Sequence, residues 1–216
     1  MIRSFYATLV IICLGCGLRA SSQPEEPTAK AWVPFVAKSV QTYEYEGLQR
    51  TGTVSTSGIY VRDKRGSWFR RVTANSVHGD LHLLEQVDTA TLCDRANHRA
   101  YSLDFTRKTI KPVQVGDRDQ PLSPRDFEFQ HSLDKFLGRQ IISGVECEGY
   151  AIHGSRHEGK YVTEAWYAPS LNYLIVESKS HNQAGQKVAT RLEEIQVGKE
   201  PDPQYFRLPE GFRMIK

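Results

Sequence analysis

The chain is short of the residues that most often announce chemistry. Only four cysteines occur in 216 residues, and two of them, Cys13 and Cys16, fall within the first 20. Neither a Gly-x-Ser-x-Gly elbow nor a His-Glu-x-x-His pair is present, so no local motif for a serine nucleophile or a helical zinc site is encoded. An excess of one charge is also missing. The 28 Lys and Arg stand against 25 Asp and Glu, a formal +3, evenly mixed along the chain. That excludes the strong basic bias of a nucleic-acid-binding domain. Repeats, heptads and low-complexity tracts are absent, which removes solenoids and coiled coils. The one apolar run, Phe5 to Leu14, is shorter than the ~20 residues a spanning helix needs.

That run has the form of an export signal. Arg3 supplies the positive start, the apolar stretch follows, and Gly15, Gly17 and Ala20 offer small residues for cleavage after Ala20. The chain therefore divides into a signal peptide at 1–20, a linker and short helix at 21–39, and one β domain at 40–216. Losing Arg3 and Arg19 with the signal brings the formal charge to +1. Leu14-Gly15-Cys16 also resembles a bacterial lipoprotein box, which makes Cys16 a candidate for lipidation. Cys13 stands three residues earlier, where an aliphatic residue is usual. Cys93 and Cys147 remain in the mature chain. In an exported protein they read as one disulfide closing a long loop, worth ~3–4 kcal/mol, with two separate buried thiols as the alternative.

What is present is aromatic and alternating. Ten Tyr, nine Phe and three Trp favour strands, and 39% hydrophobic residues suffice for one core. Ser21 to Lys30 is polar, and Pro34 limits a helix in Ala31 to Ser39 to the residues after it. From Val40 the period is two, with Gln41, Tyr43 and Tyr45 on one strand face. Thr51 to Arg62 and Ser67 to Ala74 read as a strand pair around the turn Asp63-Lys64-Arg65-Gly66. Shorter strands follow at His82 to Val87, Thr91 to Asp94, Ala100 to Phe105 and Lys108 to Val115. Gly116 to Arg125 reads as a long loop. Ser132 to Leu137 reads as a helix ended by Gly138, and Arg139 to Ile152 as a strand pair with a bulge at Gly149. Tyr161 to Ala168, Tyr173 to Glu177 and Val188 to Val197 form an antiparallel meander. The fold class is thus mainly β: one large curved antiparallel sheet with one to three short helices.

Several segments resemble a family of exported bacterial proteins of unknown function associated with acidobacteria. They are Pro34-Phe35, Tyr60-Val61-Arg62-Asp63-Lys64-Arg65-Gly66, Cys93-Asp94, Tyr101-Ser102-Leu103-Asp104, and Gly144-Val145-Glu146-Cys147-Glu148-Gly149. Glu164-Ala165-Trp166-Tyr167-Ala168-Pro169-Ser170-Leu171 and Glu200-Pro201-Asp202-Pro203, with Phe206 and Pro209, complete the set in order. At fold level that family is similar to the LolA/LolB-like lipoprotein carriers. The resemblance implies an open half-barrel whose concave side holds acyl chains, in the periplasm or outer envelope of a Gram-negative bacterium.

Trp68, Leu83, Leu103, Trp166 and Leu174 sit in strand-like runs and are the candidates to line such a groove; the same side chains would equally serve as core. His153 with His157 and His78 with His82 flank glycine turns and need not converge on a metal. Asp63, Asp94 and Asp104 read as turn residues. The cluster Arg62, Arg65, Arg70 and Arg71 reads as a charged hairpin tip or as a contact for anionic head groups. The expectation is a monomeric, non-enzymatic carrier or binder of a lipid or other hydrophobic molecule, without cofactor, metal or nucleic acid. Membrane contact would come through ligand delivery or a lipid anchor. The alternative is an envelope interaction module whose concave face is filled by its own side chains.

Overall fold

The computed structural model describes residues 31–46, 51–79, 87–114, 123–156, 159–183 and 185–215. The proposed signal peptide, Cys13, Cys16, Leu83, His82 and His157 lie outside them, as does the expected strand at 82–87 except for its last residue. Among the described residues twelve strands form one sheet.

The sheet is two meanders joined at their first and last long strands. The first runs β1 (Phe35–Glu46), β2 (Thr51–Arg62), β3 (Trp68–Gly79), β4 (Asp88–Asp94), β5 (Arg99–Asp104) and β6 (Thr109–Val113). The second runs β7 (Lys135–Ile142), β8 (Val145–Arg156), β9 (Gly159–Ala168), β10 (Leu174–Asn182) and β11 (Gln186–Val197). β1 pairs antiparallel with β11, so the spatial order is β12, β6 to β1, then β11 back to β7. β12 (Arg213–Met214) adds parallel to β6, which makes the sheet mixed at that edge.

Local chemistry explains the turns. In the β2–β3 hairpin Asp63 Oδ1 accepts from the Arg65 and Ser67 backbone N–H groups at 2.9 and 2.8 Å. Gly66 follows at φ 85°, and a Cβ there would stand 2.2 Å from Trp32 Nε1, so only glycine fits. Asp94 caps the turn Arg95–Asn97 before β5.

Four expectations are corrected. The residues after Pro34 are not helical: Phe35 opens β1, because Phe35 to Ser39 are alternately claimed by two apolar clusters and a strand satisfies both faces. The helix lies earlier than Ser132 to Leu137. It is α1 (Pro124–Gln130), where Ser123 accepts the Asp126 N–H and Pro124 stands at the first turn. Gly138, at φ 112°, is part of a bulge on β7 opposite Gly149 and Tyr150, so the irregularity is on the partner of the strand expected to carry it. Cys93 and Cys147 are both buried, on β4 and β8, with six strands between them in the sheet order. No disulfide joins them.

The sheet is not flat. Strands three places apart in a flat sheet stand ~14 Å apart. Yet Ser143, in the β7–β8 turn, donates its hydroxyl to the Leu192 carbonyl of β11 at 2.7 Å. Arg62, at the end of β2, reaches the Leu171 carbonyl between β9 and β10 at 2.9 Å. Both contacts require a strong curl. A core of Phe35, Ala37, Val145, Cys147, Val176 and Leu192 fills the curled end.

Candidate functional site

Strand register sorts the side chains of the five central strands into two unlike faces. On β1, Ser39, Gln41 and Tyr43 lie beside Gly58, Thr56 and Val54 of β2 and beside Leu192, Thr190 and Val188 of β11. The same face continues through Ser178 and Ser180 of β10 to Thr163 and Ala165 of β9. The Thr163 hydroxyl donates to that of Ser180 at 2.9 Å. In these strands the face carries no charge until Arg62 at its closed end. The other face holds the ion pairs Lys38–Glu193, Lys187–Glu44, Lys179–Glu177 and Arg191–Glu177. Water solvates the second face where these pairs lie; the first is the inner one, where Val54 and Ser39 are each only 1% exposed.

At the β8–β9 end α1 covers this inner face. Phe127 is fully buried, stacks on Tyr173 at 4.0 Å between centroids, and meets Tyr150 and Tyr167 edge-on. Such ring contacts contribute roughly 0.5–1.5 kcal/mol each beyond area burial. Burial pushes the Tyr167 hydroxyl up to about 12, so it stays protonated.

The closed end is held by Arg62, 4% exposed. It donates to the carbonyls of Val33 and Leu171, and its guanidinium lies over the rings of Trp32 and Phe35. Burial lowers its pKa to about 10, still charged at neutral pH. Asn172, at φ 58°, accepts from the Val33 N–H at 3.0 Å and locks the β9–β10 connection to the chain before β1.

The outer face of β2 to β6 is covered differently. After β11 the chain crosses it as a strap, anchored by Gly198 N–H to the Pro34 carbonyl and by Ile215 N–H to the Ile110 carbonyl, each at 2.8 Å. Tyr205 packs on Phe69 and Phe212 on Phe105. Between strap and sheet lies a cleft of about 710 Å³ walled by Ile59, Phe69, Leu103, Phe105, Tyr205 and Leu208. Arg71 stands in it, paired two-fold with Asp88 at 2.9 and 2.8 Å and stacked 3.9 Å over the Phe105 ring.

The groove candidates are not brought together. Leu103 is 1% exposed and walls the outer cleft. Trp68 is half-buried on β3 and meets Tyr60 edge-on at 6.0 Å, on the inner side with Arg70. Trp166 lies over Gly149, where a Cβ would be 2.6 Å from its ring, and Leu174 packs on the core of the closed end. The four arginines separate as well. Arg62 is the buried clamp, Arg65 pairs with Asp63 in the turn, and Arg70 and Arg71 take opposite faces. His153 lines a recess at the strand tips with Lys160, Tyr161 and His181. Among the described residues no group of three or more His, Cys, Asp or Glu is placed to hold a metal. Sequence reasoning missed the polar set around Arg70, namely Ser39, Gln41, Tyr43 and Thr56. The one signal for it was the alternation of β1, which put Gln41 and Tyr43 on one face.

No family model matches this chain, and no curated protein does. Among solved structures it is similar to a chain of the Pseudomonas aeruginosa MucA/MucB complex, at 15% identity and a TM-score of 0.45 over 81% of this chain and 55% of that one. It thus spans about half the length of that chain. Mycobacterium tuberculosis lipoprotein LppX matches at 8% identity and a TM-score of 0.38, over 79% of this chain and 89% of that one. A LolA superfamily protein of Nitrosomonas europaea matches at 8% identity and a TM-score of 0.34, over 83% and 91%. These likenesses concern the course of the sheet.

Proposed function

We propose that this protein is an exported, non-enzymatic binder of a hydrophobic ligand, held on the inner face of its open sheet. The observation that carries this reading is the charge asymmetry of β9, β10, β11, β1 and β2. One face bears their ion pairs, while the other presents hydroxyls, small side chains and Tyr43, Val54 and Val188. Among the described residues α1 is the one α-helix packed on the sheet and no second layer covers that whole face, and an apolar chain needs no specific partner to be buried there. The proposed site of action is the periplasm or outer envelope, and the N-terminal Arg3, apolar run and Ala20 support export.

The alternative, an interaction module without ligand, is favoured by the closed end, where Phe35, Leu171 and Cys147 are fully buried by the chain itself. Native mass spectrometry of the protein purified from a bacterial periplasm separates the two. Copurified lipid, displaced by added oleate, is the expected result. A ligand-free mass that added oleate leaves unchanged would overturn the binder and favour the interaction module.

A further inference from the structure

Arg70 lies on the inner face of β3, next to the five strands whose inner face carries no charge up to Arg62. It lies on β3 between Tyr60 of β2 and Thr91 of β4, none of which is acidic. Its Nη2 donates to Ser39 Oγ at 3.2 Å and to Gln41 Oε1 at 3.4 Å, both neutral acceptors and both weakly engaged. No carboxylate pairs with it among the described residues. Its Nε is buried without a partner, and so is the hydroxyl oxygen of Thr56, a residue 5% exposed whose register neighbour is Gln41. A guanidinium without a carboxylate, with its own Nε orphaned, and an orphaned hydroxyl on the strand next to Gln41 are costly, since unsatisfied buried groups are rare. Tyr43, two residues from Gln41, adds a hydroxyl close enough for Arg70 to favour its ionised form, although burial outweighs this and raises its pKa.

Resting on the inner-face reading above, we propose that Arg70, with Ser39, Gln41, Tyr43 and Thr56, seats an anionic headgroup. The ligand is then an amphiphile with a carboxylate or phosphate end and an apolar tail. An anion at this point supplies the countercharge that Ser39 and Gln41 cannot, and it reaches the buried Arg70 Nε and Thr56 hydroxyl only when the side chains over them move aside. The tail follows the uncharged face through Val188, Ser178 and Ala165 toward the rings under α1. Guanidinium donors are suited to both carboxylate and phosphate oxygens.

The test is calorimetric titration of the delipidated protein with oleate, oleyl phosphate, oleyl alcohol and inorganic phosphate. At least one of the two anionic amphiphiles should bind about tenfold or more tighter than the alcohol, and which one does so identifies the headgroup. Arg70→Met should remove that preference while leaving the alcohol within about twofold, and Arg70→Lys should restore part of it. Equal affinity of the native protein for both anions and the alcohol overturns the headgroup seat and leaves the binder standing. Inorganic phosphate binding as tightly as oleyl phosphate also overturns it, in favour of a free-anion site. No binding of any tailed compound overturns both proposals. The preference of the native protein tests the inference even if Arg70→Met fails to fold.

Discussion

Arg70 and Arg71 are neighbours on β3, and the alternation of the strand sends them to opposite faces with opposite surroundings. Arg71 enters the cleft under the strap and is fully answered there: Asp88 takes it two-fold, and Phe105 lies beneath it. The pairing is strong enough to raise the Arg71 pKa and to lower that of Asp88. Arg70 turns inward and finds two neutral acceptors and an orphaned Nε. The outer cleft is therefore a structural joint whose charge is already neutralised. On the inner face Arg70 keeps a charge that no carboxylate answers among the described residues. Volume alone would choose the outer cleft as the binding site; the state of the two guanidiniums points to the inner face.

The largest effects expected are on the apolar anchors of the two regions. Phe127→Ala removes the ring that ties α1 to Tyr150, Tyr167 and Tyr173, at a cost of ~3–5 kcal/mol in urea unfolding. Leu103→Ala opens the core beneath the strap and costs ~2–5 kcal/mol. The pair sharpens the comparison because binding separates them. Phe127→Ala should weaken oleate binding as well as stability, whereas Leu103→Ala should leave oleate affinity unchanged in the folded protein. Oleate binding lost on Leu103→Ala and kept on Phe127→Ala would reverse the assignment of the two faces.

Arg71→Ala comes next, at ~1–2 kcal/mol, since it loses a half-exposed ion pair and a stacked ring. Its pH signature is the sharper test. The carboxyl of Asp88 has a folded pKa held below its ordinary value, chiefly by the hydrogen bond from Arg71. The stabilisation is thus complete above the unfolded value near ~3.9 and is lost as pH falls through the folded one. Native protein should lose more stability between about pH 5 and 2 than Arg71→Ala does, measured as urea midpoints across that range. Parallel pH profiles would show that Arg71 and Asp88 are not coupled.

How much of this was legible beforehand follows from what sequence encodes locally. β2 is bounded by a turn whose Asp63 and Gly66 have visible roles, so Thr51 to Arg62 could be read directly. The meander β9 to β11 was equally plain from its β-branched and aromatic runs. A short helix over Ala31 to Ser39, limited by Pro34 to the residues after it, is what the local sequence allows, while pairing with β2 and β11 makes Phe35 to Ser39 a strand. Ser123-Pro124 is a helix start of the usual chemistry, overlooked inside a stretch read as loop. The disulfide reading used only cysteine count and compartment; it had no means of seeing that β4 and β8 stand far apart in the sheet order. Leu103 and Trp68 were grouped because both are apolar, and only register tells that they face away from each other. Arg70 was visible merely as one of four nearby arginines.

The smallest expected effect bears most directly on the comparison. Arg70→Met removes a charge that has no countercharge and an Nε that has no partner, and it puts an unbranched apolar chain in their place. A buried ion answered by an anion is destabilised when one member is removed; an ion without one is not. Stability of the ligand-free variant should therefore stay within ~1 kcal/mol of native, or rise, in contrast to Arg71→Ala. Urea unfolding with and without saturating oleate then gives two numbers for each protein. The native protein should gain stability on adding oleate by an amount set by its affinity, and Arg70→Met should gain less. A loss of several kcal/mol in the ligand-free variant would mean that Arg70 is as structural as Arg71, and the distinction between the two faces would fall.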